Sequence, residues 1–414
     1  MRASAIIAVF LFSVRAGAAE RALTWEDAVG ESSRANPSLA SSRLAVDARR
    51  ASYYGSFNNF IPAVSLSNSV SESNGSRSPA WSASASASMS LFDMGRAASI
   101  RSASASLSSA EASLRGASAA LRASLRRSFS TLLFSQFSMA TSGRILELRR
   151  HNSELVSLRY ESGRESKGNR LRSRAQVLQA QVAVYTAERD LRTARRDMAQ
   201  QLGREDFDEY VASGTFASAP PPVRPEDFRA LLPLRVDVAV AEAARRSSKA
   251  SLDSANSVLW PSLSANYSRS RAGGSEFPSS RYAWSAGASL SYPLFGGGPT
   301  SAYYSTLASR RDYRGSEMDL AATRQAALAD LETAWSDYAD AADGVRVQEA
   351  LLEAARQRND EADVRYASGL LSFDNWEVIV SDRVNTERQA ISARRAAMDA
   401  ETAWDRALGR ALGE

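Results

Sequence analysis

The chain of 414 residues contains no cysteine. That excludes disulfides, thiol catalysis and cysteine-ligated metals, and it excludes lipidation at a mature N-terminal cysteine. Histidine occurs once, as His151, with no second imidazole or thiol to share a metal or a proton. Lysine is nearly absent: Lys167 and Lys249 are the two, so arginine carries the basic side of a net charge of +5. The arginines are scattered among Asp and Glu along helical stretches. This reads as solvated helix faces, and no nucleic-acid partner is expected. Past the N-terminus no run of 18 uncharged apolar residues occurs, so no transmembrane helix is expected. Only 44% of the chain is hydrophobic, and Ala and Ser dominate long stretches. Such a composition suits long, closely packed helices better than a thick globular core. No catalytic set can be assembled, and Gly296, Gly297 and Gly298 lack the strand-to-helix context of a phosphate loop. The chain is read as a non-enzyme without a cofactor or metal.

The N-terminus has the make-up of a cleaved export signal over residues 1–19. Arg2 supplies the charge, Ala5 to Val14 the apolar core, and Ala16-Gly17-Ala18-Ala19 the small residues at the cut. The mature protein is therefore expected to be exported. It is either soluble in the periplasm or crosses a membrane as β-structure, since only helices and closed barrels satisfy the backbone in lipid.

Proline, too, is informative where it is missing. None occurs between Arg96 and Tyr160 or between Ser301 and Tyr366. Each stretch is predicted to be one helix of about 100 Å at 1.5 Å per residue. A shorter helix is predicted from Trp25 to Asn59, with Thr24 as N-cap and Pro62 as its stop. Strict period-two alternation follows over Val64–Ser71 and Trp81–Leu91, with Ala and other apolar residues on one face and Ser on the other. The second half repeats the order. A helix from Ala239 to Trp260 ends at Pro261. Alternation follows over Leu263–Ser268 and Tyr282–Tyr292, on either side of the loop Arg271–Ser280. Four strands in two hairpins result. The longer ones suffice to cross a bilayer when tilted, and Trp81, Tyr282, Trp284 and Tyr292 stand near strand ends, where an aromatic girdle would lie. Four strands cannot close a barrel, and three chains would bring twelve.

The repetition extends to detail. Arg159-Tyr160-Glu161-Ser162-Gly163 recurs as Arg365-Tyr366-Ala367-Ser368-Gly369, and each Arg precedes a Leu-Gly pair by 43 residues: Leu202-Gly203 and Leu408-Gly409. An internal duplication follows. The expected organisation is a first repeat over 20–203, a Pro-rich linker over 204–225 and a second repeat over 226–414. Gly163 and Gly369 can turn the chain back at positive φ between a long helix and a return helix. On the first return helix Val177, Ala180, Val184, Ala187, Leu191, Ala194 and Met198 form a coiled-coil seam.

Helix, strand hairpin, long helix, RYxxG tip, return helix, Leu-Gly, then all of it again: this order resembles the TolC-like outer-membrane efflux protein family. Local marks are Asn36-Pro37, Pro62 and Pro261 before the strands, and Leu91-Phe92-Asp93-Met94-Gly95-Arg96 with its counterpart from Leu294 to Gly298. The resemblance implies a mainly α fold with a small β part. Long antiparallel helical hairpins would form an α-barrel tunnel, and four strands per chain would contribute to a trimeric 12-stranded transmembrane β-barrel. It implies a homotrimer in the cell outer membrane, in contact with outer-membrane lipid and extending into the periplasm. It also implies a periplasmic adaptor (membrane fusion) protein and an inner-membrane pump of RND or ABC type as partners. The expected function is the passive duct of a tripartite efflux or type I secretion system. A periplasmic adaptor or coiled-coil scaffold is the alternative. The family likeness further places an aperture near the second tip, where Asp374 or Glu377 is expected to form an acidic gate. Gly163, Arg164, Lys167, Gly369 and Leu370 are expected to dock the adaptor. Arg159, Tyr160, Arg365 and Tyr366 are expected to brace the hairpin turns. Arg164, Lys167 and Arg170 are candidates to pair with the acids of the second tip.

Overall fold

The computed structural model describes residues 21–72, 74, 80–205, 210–273, 282–292 and 299–413. The export signal, most of both strand-connecting loops and the Leu294–Gly298 motif lie outside them.

Helix α1 (Trp25–Ala35) is capped by Thr24, whose side chain accepts from the Asp27 amide at 3.2 Å. The single helix expected up to Asn59 is broken at Asn36. Its Oδ1 accepts from the amides of Ser38 and Leu39 and starts α2 (Pro37–Ser56), with Pro37 in the first turn where no amide partner is needed. Strands β2 (Ala63–Ser71) and β3 (Ala80–Phe92) follow, then α3 (Met94–Glu161), of 68 residues. Asp93 caps α3 through hydrogen bonds from the Gly95 and Arg96 amides. Helix α4 (Lys167–Leu202) returns along α3. The second half repeats this with α5 (Val236–Asn256), β5 (Ser262–Gly273), β6 (Tyr282–Ser291), α6 (Pro299–Ala367, 69 residues) and α7 (Phe373–Ala407). Strand β5 runs on through Arg271, Ala272 and Gly273, which the sequence reading assigned to the loop.

The two hairpins join into one antiparallel sheet of order β2-β3-β5-β6. Its register puts serines opposite serines on one face: Ser65 with Ser86, Ser67 with Ser84 and Ser69 with Ser82 meet hydroxyl to hydroxyl at 2.6–2.8 Å. Val64, Leu66 and Val70 occupy the opposite face and are exposed. Strands β2 and β6 are both edges of this sheet.

The helices pack by small residues and one thicker core. Ala180, Ala187, Leu191, Ala194 and Met198 of the expected seam are buried, which lets α4 lie close on α3. Further from the sheet, Leu125, Phe129, Leu132, Met198 and Leu202 meet Leu23 and Tyr210. Those last two belong to a pair of short strands the sequence reading did not find, β1 (Arg21–Leu23) and β4 (Tyr210–Ala212), paired in parallel. The segment expected as a linker is thus partly structured and anchored. Phe216 stacks on Phe137 at 5.1 Å, Tyr338 donates to the Ala219 carbonyl at 2.7 Å, Trp335 Nε1 donates to that of Pro222, and Arg224 pairs with Glu332 at 2.7 Å. It forms a belt from the first hairpin to the second. No helix of the described residues is long and apolar enough to cross a membrane.

Candidate functional site at the hairpin tips

Both tips are built by the same backbone device. At the first, the Gly163 amide donates to the Tyr160 carbonyl at 3.0 Å and the Arg164 amide to that of Arg159 at 2.8 Å. At the second, Gly369 donates to Tyr366 at 3.0 Å and Leu370 to Arg365 at 2.8 Å. Gly163 (φ +73°) and Gly369 (φ +83°) take the left-handed conformation this cap requires. Ser166 and Ser372 then cap α4 and α7 by accepting from the Asn169 and Asn375 amides. The turns are closed by backbone, and the RY pairs do something else.

The two copies of the motif are used differently. Tyr366 is fully buried, stacked on Trp376 with centroids 4.2 Å apart and planes 7° apart, while Phe373 meets it edge-on. Arg159 crosses from the other hairpin. Its guanidinium lies 4.6 Å over the Tyr366 ring and donates to the Tyr366 carbonyl. The Tyr366 hydroxyl donates back to Glu165 at 2.8 Å. Arg159 and Tyr366 therefore brace one hairpin against the other. Their counterparts do not: Arg365 sits on the surface near Glu361, and Tyr160 is covered by Arg170 at 4.1 Å within its own hairpin. Arg365 as a turn brace is thus corrected.

This network sets two ionisation states. Burial would raise the Glu165 carboxyl, but hydrogen bonds from Asn169, the Ser166 amide and Tyr366, together with the Arg159 charge, outweigh it and hold the carboxyl below its ordinary value. Burial, and then the bond to anionic Glu165, push the Tyr366 phenol well above its ordinary range. A neutral phenol thus donates to a carboxylate across the two tips.

The acids expected at the aperture part company. Glu377 is buried, its side chain 5% exposed. Both of its oxygens accept from Arg149 Nη1, at 3.0 and 3.1 Å, and Oε1 also accepts from Gln176 at 2.6 Å and Ser381 at 2.8 Å. A carboxylate committed to three helices of its own chain does not face a lumen, so Glu377 as a gate residue is corrected. Asp374 is on the surface, its side chain 78% exposed, 3.4 Å from Arg172 of the first hairpin. Arg172 is the residue that bridges to the second tip's acid. Among the described residues Arg164 and Lys167 have no ion-pair partner, and Arg170 faces Tyr160. Leu370 is 81% exposed at the turn.

Sequence reasoning missed Arg149, Gln176, Asp363 and the placement of Trp376. Trp376 Nε1 donates to Asp363 at 2.6 Å, and Asn359 donates to the other Asp363 oxygen. A signal existed for α7: Phe373, Trp376, Glu377 and Val380 are spaced as one helix face, and all four are buried. On α3 the inward face runs Arg149, Asn152, Ser153, Val156, so its polarity hid it.

The model of the outer membrane efflux protein family matches residues 29–204 and 229–410, one block per half. The chain belongs to this family. Solved structures bear out the fold. The outer-membrane channel OprN superposes with a TM-score of 0.81 at 21% identity, covering 94% of this chain and 90% of that one. The outer membrane protein VceC of Vibrio cholerae gives 0.81 at 17% identity, with 94% and 96% covered. The open state of the Neisseria gonorrhoeae MtrE outer membrane channel gives 0.82 at 18%, with 94% and 89% covered. No curated protein sequence matches the chain. Family membership makes this an efflux channel of the outer membrane and not an enzyme, and it removes the adaptor or scaffold alternative.

Proposed function

We propose that three copies of this chain form a passive duct from periplasm to exterior, the outer-membrane component of a tripartite efflux or type I secretion assembly. One observation carries the trimer: the four-stranded sheet has two open edges, β2 and β6, in a chain whose helices of 68 and 69 residues come next in sequence after β3 and β6. Lipid does not tolerate open edges, so neighbouring copies must pair them, and three copies give twelve strands. The serine face then lines water and the apolar face meets lipid.

The tips are the aperture and the docking end. Gly163, Arg164, Lys167, Gly369 and Leu370 are all exposed there, available to the helical hairpin of a periplasmic adaptor that connects to an RND or ABC pump. Asp374, exposed and near the threefold axis of such an assembly, contributes one carboxylate per copy to a cation-favouring ring. An N-terminal export signal over 1–19 delivers the chain.

Imaging the detergent-solubilised protein as single particles tests the duct. A threefold particle with a barrel at one end and a tube of about 100 Å supports it. A soluble particle without a barrel overturns it. In planar bilayers Asp374→Asn is expected to lower the cation-to-anion permeability ratio by about twofold or more. An unchanged ratio removes Asp374 from the aperture.

A further inference from the structure

Two arginines stand where a lipid-facing sheet should have none. Residues directly opposite in an antiparallel sheet share a face. The register sets Arg271 opposite Tyr282 and Arg269 opposite Trp284, on the side of the sheet that carries Val64, Leu66 and Leu290. The Arg269 guanidinium lies 5.0 Å over the Tyr282 ring, which fixes it to that face. On the next strand their neighbours are the small Ala83 and Ala85, and Trp81 follows on the same face. Both arginines, Tyr282 and Trp284 are exposed.

The position along the strands matters as much. The helices that precede β2 and β5 and those that follow β3 and β6 lie at one end of the sheet, so Ser71, Ala80, Gly273 and Tyr282 mark its far end. Arg269 and Arg271 fall within the last five residues of β5, at that far end. Under the duct reading, on which this inference rests, the far end meets the outer leaflet. A charge facing lipid there is tolerated at headgroup depth and costly at the midplane. No aspartate or glutamate occupies this face among the described strand residues, and neither guanidinium has an ion-pair partner among the described residues.

Two guanidiniums one pleat apart, without an ion-pair partner among the described residues and flanked by small and aromatic side chains, match a phosphate-bearing amphiphile. The planar fork pairs with phosphate oxygens bidentately, and the rings and alanines take the acyl and sugar parts. We infer that Arg269 and Arg271 form a binding site for the phosphorylated headgroup of an outer-leaflet lipid, one site per chain.

Native mass spectrometry of the detergent-purified assembly tests this. The probes are a bis-phosphorylated glucosamine lipid, its dephosphorylated counterpart and inorganic phosphate. The wild type is expected to retain the phosphorylated lipid about tenfold better than the dephosphorylated one. The Arg269→Gln/Arg271→Gln protein should lose that preference, and the double Lys protein should keep part of it. Millimolar inorganic phosphate should leave the lipid in place. Equal retention of both lipids by the wild type overturns the site, as does an unchanged preference in the Gln protein or displacement by inorganic phosphate. Should the Gln protein fail to assemble, the wild-type comparison of the two lipids decides alone. Conductance of the same sample separates the two readings. A conducting channel indifferent to phosphate sinks only this site, whereas a protein that makes no channel sinks the duct.

Discussion

Glu377 shows how one residue's face outweighs its place in a motif. Counting forward from Gly369 reaches Asp374 and Glu377 alike, yet one packs inward and the other stays at the surface. Glu377 falls in line with Phe373, Trp376 and Val380, a stripe that packs inward, and its charge is matched there by Arg149. Removing that match alone is costly. Arg149→Met is expected to lower the local opening free energy of the first turns of α7 by about 3–5 kcal/mol, read by amide exchange, because it leaves a buried carboxylate unpaired. Adding Glu377→Leu should recover most of the loss. A second contrast concerns glycines of one conformation. Gly203 (φ +78°) and Gly163 (φ +73°) both pay for any Cβ, but a Cβ at Gly203 would lie 2.5 Å from the Ala35 carbonyl oxygen, while at Gly163 it meets nothing. Gly163→Ala should cost about 1–2 kcal/mol and Gly203→Ala measurably more, compared by thermal unfolding of the two proteins. The sequence made the duplication of these glycines legible. That only the Leu-Gly copy abuts another backbone was hidden, because the obstructing carbonyl comes from a helix 168 residues earlier.

The elements were legible in proportion to their regularity. The two proline-free stretches became the two long helices within two residues at each end, because nothing inside them interrupts an inward small-residue face. The break at Asn36 was the exception: its side chain caps α2, while its Nδ2 and the Ser32 hydroxyl donate to the Gln201 carbonyl at the end of α4, contacts no local pattern announces. Between elements, the Arg159–Tyr366–Glu165 bridge couples α3 and the first turn to α6. Its carboxyl is held below the ordinary value of 4.5, so the stabilisation is present above that pH and is lost as pH falls through the depressed value. Tyr366 stays protonated throughout, since its shift is upward. The protection of the amides at residues 159–169, taken relative to the intrinsic exchange rate at each pH, is therefore expected to fall on acidification below about pH 4.5. Glu165→Gln should flatten that dependence while lowering protection at neutral pH. A wild-type profile indifferent to acid would remove the bridge as a coupling element.

At the scale of the whole molecule the informative feature is an unfinished sheet. Within one chain β2 and β6 are three strand spacings apart, about 14 Å, beyond the reach of a disulfide. Because the chain has no cysteine, a protein carrying Ser67→Cys with a cysteine scanned along β6 should crosslink between copies and not within one. A non-reducing gel should show a ladder ending at three. A monomer with an internal bond, or no ladder at any β6 position, would contradict barrel closure by neighbouring copies. The strands themselves could be read from alternation, and so could the need for partners. The belt could not. Pro220, Pro221 and Pro222 look like a loose connection, and only the fold places Trp335 and Tyr338 beneath it, more than a hundred residues away in the chain.

That belt also sets mechanical gearing. It grips α3 near Phe134 and Phe137 and α6 near Trp335 and Tyr338, leaving the helices free of it down to Tyr160 and Tyr366. Those free arms are roughly 40 Å long, so a rotation of about 10° at the belt carries each tip through about 7 Å. A small tilt of a hairpin at the belt would therefore be amplified over that length into a displacement as wide as a side chain at its end.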